Sequence, residues 1–398
     1  MIRHLFKLVW NRKRANGLIM LEILLSFFVL FAVLTPSLAL IGNSQRPLGY
    51  EWRGVWQVRL DLDDAVELEG ASNVELAKTV QRLLREMKSF PEVESAAGGM
   101  TPPYSMSTME GGWNVDGRRF SLTFDEVTDE YANVMKMNVV RGRWFRPEDD
   151  AAGYQPVVIS SSAALDLYPN EEPLGQKFDK EAEREMRVVG IIDHYRKDGE
   201  LSRPRNMVFR RIAANGAHGR VPRYFMLRVR PGTPIEFEEK LYARLGALAP
   251  DLSFRIRQME QTRASGLRMF LTPLALGGLV ALFLVSMVAL GLTGVLWQNV
   301  TKRMRELGVR RALGATGKAV RMQVLAEVML LATIAVVIGT AIVIQIPLMG
   351  FFAWIRPAAY AIGLIGALAT IYALTLLCAW YPSWLASRVE PAEALRYE

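Results

Sequence analysis

Apolar and polar residues divide the chain into four apolar blocks of membrane length and one long mixed stretch between the first two. A helix crosses a bilayer core with about 20 apolar residues, and four segments reach that length: 17–42, 271–297, 322–350 and 359–386. The first block is too long for the apolar core of a cleaved secretion signal and holds Glu22, so it reads as a retained anchor. Pro36, Pro273 and Pro347 fall toward the outer ends of their blocks, where a lost backbone bond costs little. Gly277, Gly278, Gly291, Gly294, Gly363 and Gly366 allow close helix contact and suggest an interface, including one between protomers.

Segment 43–270 has the periodicities of a folded domain. VWQVRLD (55–61) alternates like a strand, VELAKTVQRLLREMKSF (74–90) has helical spacing, and VESAAGGM (93–100) reads as a second strand. The same order returns in YFMLRVR (224–230), IEFEEKLYARLGALAP (235–250) and LSFRIRQM (252–259). Two β-α-β units bracketing the domain predict a split ferredoxin-like layer. Between them, 101–222 predicts an inserted β-rich subdomain, with strands in WNVDG, FSLTFDEV, PVVIS, QKFD, MRVVGIID and NMVFRR and short helices in ANVMKMNVV and SSAALDLY. The fold class is therefore an α-helical membrane protein with four transmembrane helices and a large α+β extracytoplasmic domain. MEQTRASGLRMF (259–270) can run as a helix into the second span.

Charge supplies the orientation. The 398 residues are 51% apolar yet 22% charged, with a formal charge of +8. Arg3, Lys7, Arg12, Lys13 and Arg14 precede the first span with no acid among them. Lys302, Arg303, Arg305, Arg310, Arg311, Lys318 and Arg321 fill the second connection against Glu306 alone, while the third carries only Arg356. Lys and Arg in short flanks stay cytoplasmic. This places 1–16, 298–321 and 387–398 on the cytoplasmic side of a membrane and 43–270 outside.

Candidate chemistry is sparse. The single Cys378 excludes an intrachain disulfide and sits in an apolar run, and His4, His194 and His218 lack metal-ligand spacing. DLDDAVELEG (61–70) lacks the spacing of a calcium loop, and Ser160–Ser162 have no nearby histidine. Gly317-Lys318 is not a phosphate loop, because Ala312 stands where the motif needs its first glycine and Ala319 follows the lysine. No aromatic residue is interleaved in 303–320, so the basic run reads as a topogenic signal and not as a nucleic-acid patch. Its apolar positions fit a short surface helix, a glycine break, and a helix turning into the third span. Glu22 and Glu327 are intramembrane acids, a functional signal by default, although Glu22 near the headgroups would also be satisfied by Arg14 or a neighbouring helix.

VTKRMRELGVRRALGATGKAVRMQVLAEVML (300–330) resembles the signature of FtsX/MacB-like ABC transporter permeases, whose R-x-x-E-[IL]-G-x-R-[RK]-A-[LM]-G-A core matches Arg303 through Ala315, followed by Glu327. YPSWLASRVEPAEALRYE resembles the family's ending. VVRGRWFRPED, PVVISSSAALDLYPNEEPLGQKF and MRVVGIIDHYR resemble the MacB-type periplasmic core. The resemblance implies a permease that pairs with a second copy or a related sister permease and sits on two ATPase subunits. It assigns contact with the ATPase to Arg303, Glu306, Leu307, Gly308, Arg310, Arg311 and Gly314, with Glu306, Arg310 and Arg311 foremost. ATP and magnesium belong to that partner, so no cofactor is expected in this chain. About 16 residues precede the first span, so the ATPase is expected to be a separate polypeptide. Efflux of a peptide, drug or lipid-linked molecule with a periplasmic adaptor and an outer-membrane protein is the first expectation. Regulation of an envelope enzyme by the same motion is the alternative, and a sensor receptor or membrane-anchored ectoenzyme is the rival class.

Overall fold

The computed structural model describes residues 13–61, 72–105, 107–115, 117–178, 185–212, 221–302, 309, 312–350 and 355–387. The chain divides into two compact units, Asn43–Phe270 and a unit formed by Met1–Gly42 with Leu271–Glu398. The order is α1 (Lys13–Ser44), β1 (Val55–Asp61), α2 (Ser72–Ser89), β2 (Val93–Gly99), β3 (Met109–Val115), β4 (Arg118–Val127), α3 (Tyr131–Val134), β5 (Val139–Gly142), β6 (Gln155–Ser160), α4 (Ser161–Leu167), β7 (Met186–Ile192), β8 (Met207–Arg211), β9 (Tyr224–Val229), α5 (Phe237–Leu248), β10 (Ser253–Gln258), α6 (Met259–Lys302), α7 (Gly317–Val343), α8 (Gln345–Leu348) and α9 (Pro357–Ser387).

In the first unit the two β-α-β segments interleave as β10-β1-β9-β2, antiparallel throughout. This is the split ferredoxin-like layer read from the sequence. Trp56, Val58 and Leu60 alternate along β1 toward one face, with Phe254 and Ile256 of β10 and Phe225 and Leu227 of β9. Ala77, Val80, Leu83 and Met87 of α2 and Phe237, Leu241 and Leu245 of α5 cover them. Each buried Val, Leu, Ile, Phe or Met among them contributes roughly 1.5–3 kcal/mol. The intervening strands extend the same sheet in the order β4-β8-β6-β7-β5, joined to β2 at Gly99 and Val127, with β3 paired to β4.

Two local expectations fail. ANVMKMNVV is not one helix, because a single turn (Tyr131–Val134) is followed by Lys136 at φ 48°, and Val139–Gly142 pairs with β7. β-branched Val139 and Val140 suit a strand edge more than a helix. In QKFD the described residues form an isolated bridge and no full strand: Lys177 bridges Arg187, the Phe178 amide donates to the Met186 carbonyl at 2.9 Å and the Val188 amide donates to the Gln176 carbonyl at 3.1 Å, while Asp179 lies outside the described residues.

Among the described residues four helices are long and apolar enough to cross a membrane: Gly17–Ser44, Met259–Gln298, Gly317–Leu348 and Pro357–Leu385. α6 continues without interruption from Met259, so the helical run 259–270 leads into the second block. α7 begins before 322 because the Thr316 hydroxyl caps it, accepting from the Ala319 amide at 3.3 Å. It ends at Val343 because the Pro347 ring would meet the carbonyl four residues back. Ile23, Phe27, Leu30 and Phe31 of α1 are buried among α6, α7 and α9. A Cβ on Gly291 would lie 2.6 Å from the Glu22 carboxylate, one on Gly339 2.6 Å from the Phe27 ring, and one on Gly363 2.2 Å from the Thr35 hydroxyl. Gly277, Gly291, Gly363 and Gly366 thus admit the chain's own first span, while Gly278 and Gly294 face nothing within 4 Å.

Candidate coupling site

Most of the residues assigned to ATPase contact, Arg303, Glu306, Leu307, Gly308, Arg310 and Arg311, lie outside the described residues. Gly314 is described. Its φ of +98° is a left-handed conformation that a side chain would strain, and it lies between Leu313, whose amide donates to the Val309 carbonyl at 3.0 Å, and the start of α7. Leu313 is 83% exposed beside this break. Aromatic contacts fix the frame around the connection. Trp297 of α6 stacks on Tyr381 of α9 at 6.0 Å and 11°, and Tyr381 stacks on Trp384. Arg321 of α7 lies 4.1 Å over the Trp380 ring of α9. The end of α6 and the start of α7 are therefore both in contact with α9. Glu327 accepts from Gln323 at 3.3 Å, one turn away on α7. Glu22 packs against Gly291.

A second constellation was not anticipated. The Arg196 guanidinium is 1% exposed and donates to four carbonyls: Asn43 at 2.7 Å, Arg46 at 3.1 Å, and Glu200 and Ser202 at 2.5 Å each. Its amide donates to the Leu48 carbonyl at 2.9 Å, and Asn43 Nδ2 donates to the Leu201 carbonyl at 3.2 Å. A Cβ on Gly49 would lie 1.7 Å from the His194 carbonyl, so only glycine fits there. The segment that follows α1 is thereby fastened to the loop 196–202. The opening turns of α6 hold the same loop, because Arg263 Nε donates to the Glu200 carboxylate at 2.6 Å while stacking over Trp52 at 4.6 Å.

Burial lowers the Arg196 pKa and raises those of neighbouring Tyr50, Tyr131 and Tyr195. Asp125 lies deeper, with its carboxyl pushed up to about 7 by burial; Lys197 and the Thr101 and Glu126 amides oppose that rise only in part. Nothing in the spacing of HYRKDGE announces that Arg196, Lys197 and Asp198 are buried. The run reads as an exposed loop, and its only signal was the resemblance of MRVVGIIDHYR to a periplasmic core. Ser160–Ser162 are structural: Ser160 caps α4 through the Ala163 amide, and Ser161 donates to the Ile192 carbonyl. His194 forms an exposed pair with Asp193 at 2.6 Å.

Four membrane-length helices among the described residues, with a large α+β domain inserted between the first and second, define the class as a polytopic membrane protein with an inserted domain. The family model described as the MacB-like periplasmic core domain matches residues 47–241, and that of the FtsX-like permease C-terminal matches 278–391. The chain belongs to the FtsX/MacB-like family of ABC transporter permeases. It is 23% identical over 292 residues to the uncharacterized ABC transporter permease YvrN of Bacillus subtilis, covering 68% of this chain and 69% of the relative. It is 26% identical over 295 residues to a macrolide export ATP-binding/permease protein MacB of Chlorobium luteolum, covering 71% of this chain and 43% of the relative. The chain thus spans less than half the length of that MacB relative. The periplasmic region of MacB from Actinobacillus actinomycetemcomitans aligns with 55% of this chain and 94% of its own, at 16% identity and a TM-score of 0.38.

Proposed function

We propose that this chain is a permease subunit that converts ATP hydrolysis by a separate ABC ATPase into movement of its extracytoplasmic domain. One observation carries the reading. The segments joining the domain to the first and second spans both fasten to the loop 196–202, through Arg196 and Glu200. Motion of either span therefore pulls on one shared anchor. The distribution of Lys and Arg supports placing both termini and the second connection in the cytoplasm and the 43–270 domain outside the inner membrane. The names of the MacB relatives join ATP binding to permease, which supports an ATPase partner that carries the nucleotide and magnesium. In this reading Arg303, Glu306, Leu307, Gly308, Arg310, Arg311 and Gly314 contact that ATPase. A second permease completes the membrane part, and the cargo is exported through an adaptor and an outer-membrane protein.

The test is Glu306→Lys in the complex isolated with its ATPase. The variant should still enter the membrane and fold, while ATP addition no longer changes the exposure of the 43–270 domain to limited proteolysis. An ATP-dependent cleavage pattern identical to that of the unaltered chain would remove Glu306 from the coupling path. The purified chain alone should not turn over ATP.

A further inference from the structure

The face of the β10-β1-β9 layer opposite α2 and α5 carries unusual charge. Odd-numbered positions of β1 point there, and in register Arg59 faces Arg255 and Gln57 faces Arg257 across β1 and β10. Like charges directly opposite on antiparallel strands destabilise the pair. Asp61 offsets one charge, accepting from Arg59 Nε at 2.7 Å and from Arg255 Nη2 at 3.4 Å. Arg257 makes no ion pair among the described residues. Two guanidiniums thus share one carboxylate and the third has none, which leaves a double positive charge among these four side chains. Tyr224 completes the floor, with Arg59 at 5.9 Å from its ring.

The three arginines, Gln57 and Tyr224 line a cleft of about 230 Å³ together with Pro102, Tyr104, Ser105, Thr262 and Ser265. Another cleft of the domain, about 510 Å³, differs in kind. There acids and bases are mixed: Glu51, Glu94 and Glu260 line it together with Arg53, Lys136, Arg228 and Arg230, Glu51 pairs with Lys136 at 3.0 Å, and Arg228 donates to the carbonyls of Val134, Arg53 and Glu51.

We propose that the Arg59–Arg255–Arg257 cleft binds the phosphate group of a small phosphomonoester. Two surplus positive charges match a dianion better than a single carboxylate, and the planar guanidinium forks left free by Asp61 suit phosphate oxygens. The Tyr224 ring offers a face for a flat group attached to the phosphate, and the cleft has room for both. The ligand comes from the solution around the domain and not from the bilayer. This inference needs no ATPase and stands apart from the coupling role.

The experiment is calorimetric titration of the full chain, held in nanodiscs of zwitterionic lipid, with phenyl phosphate, inorganic phosphate and benzoate. Phenyl phosphate should bind saturably, inorganic phosphate more weakly and benzoate more weakly again. Arg257→Gln should weaken phenyl phosphate binding about tenfold, the loss expected for one charged hydrogen-bonding partner. Arg141→Gln, whose partner Glu172 lies on another part of the domain, should leave it unchanged. The exposed Arg257 side chain is not part of the core, and an unaltered melting temperature verifies that its variant folds. Absence of saturable heat, equal binding by the Arg255→Gln/Arg257→Gln double variant, or equal binding of benzoate would overturn the assignment. So would loss of phenyl phosphate binding in nanodiscs containing phosphatidylglycerol, which would make the site one for a lipid headgroup.

Discussion

A guanidinium buried among four carbonyl oxygens has no close substitute. Arg196 serves both sides of its fork at once, and a lysine ammonium at the same place is a single point with three donors. Arg196→Lys should therefore cost about 2–4 kcal/mol, from lost hydrogen bonds and carbonyls left unpaired in a dry site. Denaturation of the full chain followed by near-ultraviolet circular dichroism measures this; a loss under 1 kcal/mol would mean that the loop does not depend on the fork. Asp125 argues in the other direction. Burial raises its pKa from 3.8 to about 7, so the folded state holds the proton more tightly than the unfolded chain does. Stability from this group is complete below about pH 4 and falls as pH rises through about 7. Glu51 and Glu185, held low by lysine and arginine partners, act only below their ordinary value of 4.5 and leave that window clear. The melting temperature should rise as pH drops from 7.5 to 5.5, by convention roughly the upper part of that window, and Asp125→Asn should flatten the rise. An unchanged slope in the variant would assign the pH response elsewhere.

Among the helices, α1 packs against each of the other three membrane-length helices. Its side chains at Glu22, Phe27 and Thr35 meet glycines on three different helices. A Cβ at Gly339 would collide with an aromatic ring that is itself fully buried, so Gly339→Val should destabilise the membrane unit by about 2–3 kcal/mol through overpacking. Gly278→Val, on an open surface of α6, should be near neutral for folding. Thermal aggregation of the two variants in detergent separates them, and equal midpoints would contradict the hub role. The contrast also shows what the sequence could convey. Block lengths and the two β-α-β periods were legible because burial imposes a repeat on them: Trp56, Val58 and Leu60 alternate, and Ala77, Val80, Leu83 and Met87 recur at helical spacing. Which glycine faces which helix was not, since a glycine carries no mark of its neighbour. The strand at Val139–Gly142 was hidden because its partner, β7, lies some 50 residues on. Arg196 was hidden for a third reason: a charged residue in a polar run reads as solvated, and only the assembled loop shows that backbone carbonyls have replaced the water.

Across the whole molecule, the two attachments of the inserted domain make a specific mechanical statement. The 43–48 segment and the first turns of α6 reach the loop 196–202 by different bonds, Arg196 to backbone carbonyls and Arg263 to the Glu200 carboxylate. The second of these can be cut alone. Arg263 and Glu200 are only partly buried, so Glu200→Gln removes the ion pair while keeping the side-chain shape, at a stability cost of about 1–2 kcal/mol. The expected consequence is a loss of communication and not of folding. With the ATPase bound and turning over ATP, amide hydrogen exchange at 43–48 and at 259–266 should change together in the unaltered chain, because one loop restrains both. In Glu200→Gln the 43–48 segment, still held by Arg196, should keep its response while 259–266 exchanges independently of nucleotide. If the two segments respond separately in the unaltered chain, or remain locked together in the variant, the shared anchor does not carry the motion. The domain would then have to be driven through one span alone.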